Sequence, residues 1–252
     1  MNTQTHLLLA CAVLVPAATS VPSRRIIPKA LTVAITFAAL LGALMPDASL
    51  FVMWGVAKSQ GVADSVIWSE WYYSAFWQWV GAITNSLPLY FAIAVAGFLF
   101  GGRLPANYRA SVLTENLSTS GGSVSRLGKS KAGEAEAVDV EGPGFVRLLP
   151  GAGLLILVFA MAAILHALAD LPLHHDDGHP HFWPLTNWIF RSPVSYWDPA
   201  HYGNIWSVVE FVLALILIVL LWRRFDVVIT RFVLFVVAVS YVVVSFYWWQ
   251  LF

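Results

Sequence analysis

Cysteine and charge are both scarce in this sequence, and each scarcity excludes a class of protein. The 252 residues include one cysteine, Cys11, which rules out an intramolecular disulfide framework. Only 11% of the residues are charged, and 14 basic residues balance 14 acidic ones, so we expect no basic surface for a nucleic acid. Hydrophobic residues make up 59% of the chain and the mean hydropathy is +0.72, far outside the range of soluble domains. The composition therefore predicts an integral membrane protein.

Six apolar runs are candidate membrane spans, which predicts an all-α, polytopic helical bundle with about six transmembrane helices. The runs cover residues 7–18, 30–45, 82–100, 145–168, 205–221 and 227–252. The first two are short for a bilayer core of about 30 Å. Residues 1–6 lack the positive charge that begins a secretory signal, so we expect the first run to be retained as a helix.

Polarity divides the chain into three parts. Residues 1–102 hold the first three spans with an amphipathic segment on the outer side, and residues 145–252 hold the last three with a histidine-rich outer loop at 170–204. Between them, residues 103–144 are rich in serine, glycine, alanine and mixed charge, and they bury too little apolar surface to fold. We predict a disordered cytoplasmic loop there.

The placement of the basic residues predicts the orientation of the bundle. If the six spans alternate in direction, the loops after the first, third and fifth share one side of the membrane and carry twelve of the fourteen basic residues. These are Arg24, Arg25, Lys29, Arg103, Arg109, Arg126, Lys129, Lys131, Arg147, Arg223, Arg224 and Arg231. Because basic loops face the cytoplasm, we predict that the chain lies in a bacterial inner membrane with both termini outside.

A stretch rich in histidine and aspartate follows the fourth span and indicates a metal site. His166 and Asp170 are four residues apart, so they share one helix face, and their side chains both bind divalent ions such as zinc. His174 or His175 would supply a third ligand, although Pro172 ends or kinks the helix before them. The alternative is a hydrated interfacial loop, with His166 hydrogen-bonded inside the bundle.

The predicted topology brings further donors to the same outer end. His6 begins the first span and Asp47 ends the second, so we expect both near His166. Asp47 is equally suited to N-cap the helical segment that follows it. Asn85 and Ser86 lie at the start of the third span, where we expect them to act as a cap. The predicted metal ligands are His6, Asp47, His166, Asp170, His174 and His175.

The acids after these histidines are candidates for catalysis. Asp176 and Asp177 precede a glycine, so they suit a turn as well as a general base. Residues 182–203 are rich in aromatics but too polar and turn-rich to be only a membrane anchor, and they could form a lid over the site. Arg191 could receive an anionic group of a substrate, such as a phosphate, or pair with Asp198.

Several short motifs resemble those of known families. They are Thr5-His6, Gly42-Ala-Leu-Met-Pro-Asp47, Asn85-Ser86, and His166-x-x-x-Asp170 followed by His174. This layout resembles the membrane-bound metal-dependent hydrolases and, more distantly, the all-helical zinc-dependent phospholipases C, in which the third element is typically His-Ser. The runs Leu171-Pro-Leu-His-His-Asp-Asp-Gly-His179 and Ser192-Pro-Val-Ser-Tyr-Trp-Asp198 are similar to those of a bacterial membrane family often labelled cobalamin biosynthesis proteins. The resemblance implies a helical membrane protein with a hydrolytic metal site.

These observations favour a membrane hydrolase whose divalent metal, zinc in the first instance, activates water. A lipid or another ester or phosphodiester is the expected substrate, so membrane lipid is an expected partner together with a small-molecule substrate. Two alternatives stay open: a metal-binding transporter that captures ions with the histidine-rich loop, and a non-catalytic membrane scaffold subunit. A transporter would need polar groups through the membrane, and the last three spans offer almost none besides Glu210.

Overall fold

The computed structural model describes residues 1–19, 29–101 and 152–251, and every long regular element within these ranges is a helix. The helices are α1 (Thr3–Thr19), α2 (Lys29–Leu44), α3 (Ala48–Ser59), α4 (Ala75–Thr84), α5 (Leu87–Gly101), α6 (Ala152–Asp170), α7 (Gly203–Arg224) and α8 (Val228–Leu251). The predicted all-α class is confirmed for this part of the chain. The predicted loop 103–144 lies outside the described residues.

Four stretches of helix are long and apolar enough to cross a membrane, which fits an integral membrane protein. They are Ala75–Leu99, Ala152–Leu173, Gly203–Arg224 and Val228–Tyr247. α2 and α3 pass the same test only as a pair, because the chain bends by 65° between them, and the apolar part of α1 is shorter. The described residues thus contain four candidate spans, or five if the bent pair forms one, where hydropathy alone predicts six.

The bend between α2 and α3 lies at Pro46 and Asp47. Pro46 has no amide hydrogen with which to continue the helix, and α2 stops two residues before it. The bend brings the side chain of Asp47 to α1 and α6, where Thr3 donates a hydrogen bond to it and His166 lies nearby. A break in a hydrophobic run thus places a carboxylate at the end of the bundle.

α6 is the central helix and packs against α1, α2 and α5. Most of its buried positions are alanine or glycine, and small side chains let neighbouring backbones approach closely. Gly42 of α2 makes one such approach, because a Cβ atom there would overlap the carbonyl oxygen of Phe159 and lie 2.9 Å from Cβ of Ala162. This close packing sets the position of α2 along α6.

Several helix ends meet at one end of the bundle, which we call the site end. It comprises the start of α1, the α2–α3 bend, the α4–α5 junction, the end of α6 and the start of α7. Long-range hydrogen bonds hold these pieces together: Thr5 Oγ1 donates to Glu210 at 2.6 Å, and Asn85 Nδ2 donates to the Pro46 carbonyl at 3.2 Å. Residues far apart in sequence therefore share one small region.

Candidate metal centre

Two of the predicted ligands lie one turn apart on α6. His166 and Asp170 are both buried, and Nε2 of the histidine is 3.2 Å from Oδ2 of the aspartate. Their separation of four residues places them one above the other on the helix. The helix alone is enough to assemble this pair.

α1 adds His6 to the pair. Its ring stacks on that of His166, with centroids 3.7 Å apart and planes at 14°, and its Nε2 lies 2.8 Å from Oδ1 of Asp170. The same oxygen accepts a hydrogen bond from the amino group of Met1. Ligand atoms of His6, His166 and Asp170 all lie within 4.8 Å of one another, so this buried group could hold a metal ion.

Two further predicted ligands border the group. Oδ1 of Asp47 is 3.5 Å from Nε2 of His166, and its Oδ2 accepts a hydrogen bond from Thr3 at 2.5 Å. The side chain of Asp47 makes no capping hydrogen bond to α3, which decides against the N-cap interpretation. Nε2 of His174 lies 3.3 Å from Oδ2 of Asp170. The structure therefore brings five of the six predicted ligands together.

The contacts of the His166 and His174 rings show which ring nitrogens lack an aligned hydrogen bond. Nδ1 of His166 lies 2.6 Å from the carbonyl oxygen of Ala43, and because a carbonyl only accepts, Nδ1 donates and Nε2 of the neutral ring carries no hydrogen. That Nε2 makes no aligned hydrogen bond within the described residues, although two carboxylates lie within 3.5 Å. In His174 neither ring nitrogen makes an aligned hydrogen bond, although Nε2 lies 3.3 Å from Asp170 and Nδ1 lies 3.0 Å from Asp177. Buried imidazole nitrogens that face carboxylates without hydrogen-bonding them match the arrangement of metal ligands.

His174 lies between two carboxylates. Its Nδ1 is 3.0 Å from Oδ1 of Asp177, while its Nε2 faces Asp170. Burial lowers the pKa of His174, but the two negative charges more than reverse this effect and raise the pKa to about 9. Burial likewise raises the pKa of Asp177, and the nearby His174 reverses this and lowers it below the ordinary value. The two groups therefore favour each other's charged forms.

The two candidate catalytic acids have different surroundings. Asp176 is exposed, whereas Asp177 is buried. Oδ2 of Asp177 accepts a hydrogen bond from Nε1 of Trp197 at 2.9 Å, and its backbone carbonyl accepts one from the Tyr72 hydroxyl at 2.7 Å. The carboxylate of Asp177 thus contacts His174, which in turn lies against Asp170 of the buried group.

His175 lies apart from the group, although it is adjacent to His174 in sequence. Its Nδ1 donates to the carbonyl oxygen of Ser192 at 2.6 Å, and its ring stacks on that of His201 with centroids 3.6 Å apart. Asp198, a predicted partner for Arg191, instead lies 2.6 Å from Nδ1 of His201. These residues form a separate cluster in the loop after α6.

The α4–α5 junction holds the α2–α3 bend in place. Ser86 caps α5 by accepting a hydrogen bond from the amide three residues later at 3.2 Å, as the sequence predicts. Asn85, expected to share this role, instead donates to the carbonyl oxygens of Pro46 and Gly81 at 3.2 and 3.0 Å. Asn85 therefore anchors the residue next to Asp47.

Thr3 and Glu210 support the site but were not predicted from the sequence as parts of it. Thr3 donates to Asp47, and Glu210 on α7 accepts hydrogen bonds from the Asn2 amide and the Thr5 hydroxyl, both at 2.6 Å. A buried carboxylate needs such donors to offset its loss of hydration. The available signals were a glutamate within an apolar span and threonines at the start of an apolar run, but only the tertiary structure pairs them.

Comparisons of the chain with models of known protein families, with curated proteins and with solved structures find no match. The case for a function therefore rests on the residues of the site end.

Proposed function

We propose that this protein is a metal-dependent hydrolase of the membrane, with zinc held by His6, His166, Asp170 and His174. The main support is a buried set of donors in which Nε2 of His166 and Nε2 of His174 face oxygens of Asp170 without an aligned hydrogen bond. Catalytic zinc typically has three protein ligands and a position left for water, and two ion positions at this site would divide these four side chains so that each ion keeps room for water. The motif resemblance to membrane-bound metal-dependent hydrolases points in the same direction.

The separations between donor atoms suit zinc. Ligand atoms at about 2.0–2.1 Å from a tetrahedral ion lie roughly 3.3–3.4 Å from one another. Oδ2 of Asp170 is 3.2 Å from Nε2 of His166 and 3.3 Å from Nε2 of His174. A mixed set of imidazole and carboxylate donors also favours zinc over magnesium or calcium, which prefer oxygen ligands alone.

The stacking of His6 on His166 favours two ion positions. The lone pair of an imidazole nitrogen lies in the plane of the ring, so two nearly parallel rings 3.7 Å apart direct their lone pairs to different points. Asp170 offers a separate oxygen to each ring, Oδ1 to His6 and Oδ2 to His166. We therefore propose that two ions would be held here, one by His6 and Asp170 and one by His166, His174 and Asp170, and that together they would supply Lewis-acid activation of water.

The remaining acids have distinct proposed roles. A bound metal would lower the pKa of a coordinated water, so that hydroxide is available near neutral pH. Oδ1 of Asp47 is placed to accept a proton beside His166, while Thr3 holds the other oxygen. Asp177 positions His174 through the opposite ring nitrogen. Asp176, which is exposed, has no role in this proposal.

We further propose that the chain crosses a bacterial inner membrane six times, with the site end and both termini outside. The six spans would include the four candidate spans, with α1 and α2 as the two shorter ones. The loops expected at the opposite end carry twelve of the fourteen basic residues, which supports a cytoplasmic position for them. A site near the end of a membrane-spanning bundle lies close to the level of the lipid headgroups, and we propose a lipid-like ester or phosphodiester as the substrate class.

Zinc-dependent hydrolysis by the purified protein tests this proposal. Protein in detergent would be stripped with a chelator and assayed on p-nitrophenyl butyrate, bis(p-nitrophenyl) phosphate and phosphatidylglycerol micelles, with and without added zinc. We expect at least one substrate to be cleaved only with zinc, and His166→Ala to lower that rate by at least about a hundredfold.

His175→Ala is the matched control, because it removes the same imidazole from a position outside the metal group. It should retain most of the activity. Equal losses in the two variants, or hydrolysis that ignores zinc, would contradict the proposal.

A further inference from the structure

The loop that joins α6 to α7 has an apolar tip, residues 182–190. Its exposed large apolar side chains are Phe182 (37%), Leu185 (79%), Trp188 (55%) and Ile189 (38%), and Pro184, Thr186 and Asn187 between them are exposed as well. The sequence Phe-Trp-Pro-Leu-Thr-Asn-Trp-Ile-Phe contains no charged residue. A concentration of large apolar side chains on one exposed loop usually marks an interaction surface.

The tip is attached to a membrane-spanning helix. The carbonyl of His181 accepts a hydrogen bond from the Leu87 amide at 2.8 Å, and the carbonyl of Trp183 accepts one from the Ser86 hydroxyl at 2.5 Å. These bonds hold the tip at the start of α5, within the candidate span Ala75–Leu99. Because the α4–α5 junction belongs to the site end, a partner for the tip must be found at that end of the bundle.

Several backbone amides of the tip form hydrogen bonds within the tip itself. The amides of Leu185 and Thr186 donate to the carbonyl of Phe182 at 2.9 and 3.2 Å, and the amide of Trp188 donates to the Thr186 hydroxyl at 3.1 Å. The ring of Trp188 lies 6.0 Å from those of Phe182 and Phe190. Internal hydrogen bonds reduce the cost of leaving water, and tryptophan is enriched at the membrane interface.

Arg191 provides a charge at the edge of the tip. It follows the apolar segment directly and is exposed. A guanidinium on a long stem can bind a phosphate while the neighbouring side chains lie among acyl chains. The combination of an apolar surface with one bordering cation fits a phospholipid layer.

We infer that this apolar tip is a membrane-binding surface, seated among the headgroups and upper acyl chains of the lipid leaflet at the site end. This inference rests on the membrane-spanning helices and is independent of the hydrolase proposal. Ser192, just after the tip, donates its amide to the carbonyl of His174 at 3.0 Å. Seating of the tip in lipid therefore also bears on the position of a proposed metal ligand.

Fluorescence quenching in lipid nanodiscs tests the inference. The single native cysteine, Cys11, is buried, so a Cys11→Ala background allows one NBD probe per protein. The probe would be attached to Leu185→Cys in the tip or to Asp176→Cys, an exposed position elsewhere in the same loop. The nanodiscs would contain phosphatidylcholine and phosphatidylglycerol with brominated acyl chains.

We expect brominated lipid to quench the Leu185 probe at least about threefold more than the Asp176 probe, and aqueous iodide to show the opposite order. Equal quenching of the two probes by lipid would overturn the inference. Protection of the Leu185 probe from both quenchers would also overturn it, because the tip would then be folded against protein, as a lid or in contact with a second copy. Both substitutions are at exposed positions, and zinc content measured on the same samples reports separately on the hydrolase proposal.

Discussion

Asp170 contacts a different histidine with each of its carboxylate oxygens. Oδ1 lies 2.8 Å from His6, and Oδ2 lies 3.2 Å from His166 and 3.3 Å from His174. A buried carboxylate is costly unless such partners surround it. One side chain therefore joins donors from α1, α6 and the loop that follows.

The contact between Asp177 and His174 leads to the first prediction. Asp177→Asn removes the negative charge beside Nδ1 of His174, the ring nitrogen opposite the proposed ligand atom Nε2. We therefore expect zinc affinity to fall by about 10–100-fold. Trp197→Phe removes the indole N–H that donates to that carboxylate but keeps the negative charge, so it should have a smaller effect. Competition with a chromophoric zinc chelator measures both. An unchanged affinity in Asp177→Asn would contradict a ligand role for His174.

Some residue-level features could be predicted from the sequence, and others could not. Helix geometry alone pairs His166 with Asp170. It cannot choose between His174 and His175, because the chain leaves α6 through a 3₁₀ turn at Leu171–Leu173, and adjacent side chains then point to different partners. The bond from His166 to the Ala43 carbonyl depends on how two helices pack, which no local pattern specifies.

At the scale of helices, the packing of α2 on α6 gives the second prediction. In Gly42→Ala the new Cβ atom would overlap the backbone of Phe159, so α2 must move away from α6. Ala43, which holds His166, and Asp47 lie on or next to that helix and would move with it. We expect a lower thermal midpoint together with weaker zinc binding.

Gly55→Ala on α3 is the matched control, since a Cβ atom at Gly55 would have no neighbour within 4 Å. Alanine is a better helix former than glycine, so this variant should be neutral or slightly stabilised. Thermal unfolding in detergent, followed by circular dichroism, compares the two. If Gly42→Ala has the same thermal midpoint as Gly55→Ala and the unchanged protein, the proposed packing is wrong.

The loop after α6 gives the third prediction, which concerns pH. Burial, together with nearby His174 and His181, lowers the pKa of His179 to about 4. Between pH values of about 6.5 and about 4, His179 is therefore protonated in the unfolded state but neutral in the folded state. The contribution of His179 to the free energy of unfolding is lost as the pH falls through this range. Between pH 7 and pH 5 we expect a loss of roughly 1–2 kcal/mol from this residue.

His179→Gln removes the titrating group while leaving a polar side chain. The apparent thermal midpoint of the unchanged protein should fall more steeply between pH 7 and pH 5 than that of the variant. The comparison uses the slopes, so a constant destabilisation by the substitution does not affect it. Parallel slopes would show that His179 is not held neutral in the folded protein.

The positions of most helices could be predicted from the sequence, but the bend between α2 and α3 could not. Long apolar runs predict helices because each can satisfy its own backbone hydrogen bonds in the membrane. The run 30–45 predicts a span and Asp47 predicts a helical segment after it, but the sequence does not predict the 65° bend between them, where Asn85 donates to the Pro46 carbonyl from another part of the chain. Hydropathy reports composition along the chain and contains no information about such a partner.

At the scale of the whole molecule, the proposed orientation gives the fourth prediction. In a Cys11→Ala background, a membrane-impermeant maleimide should label Asp176→Cys in intact spheroplasts. It should label Ser130→Cys, in the predicted cytoplasmic loop, only after the membrane is permeabilised. Labelling of both positions before permeabilisation would contradict the orientation.

Composition and charge are properties of the whole chain, and they predict the membrane class directly. The number of spans is harder to predict, because the apolar part of α1 is short and the α2–α3 pair is bent by 65°. The gathering of His6, Asp47 and His166 follows from alternating spans, which the sequence suggests through its basic residues. The stacking of the His6 and His166 rings, and the contact of each ring with a different oxygen of Asp170, could be learned only from the structure.

The central claim, that the buried histidines and Asp170 hold zinc, is tested most directly by elemental analysis of the detergent-purified protein and two variants. Asp170→Asn removes the shared carboxylate, and Asp176→Asn makes the same chemical change at an exposed position. We predict at least about one equivalent of zinc per chain in the unchanged protein and in Asp176→Asn, and very little in Asp170→Asn. A folded protein without stoichiometric zinc, or equal zinc in Asp170→Asn, would contradict the claim.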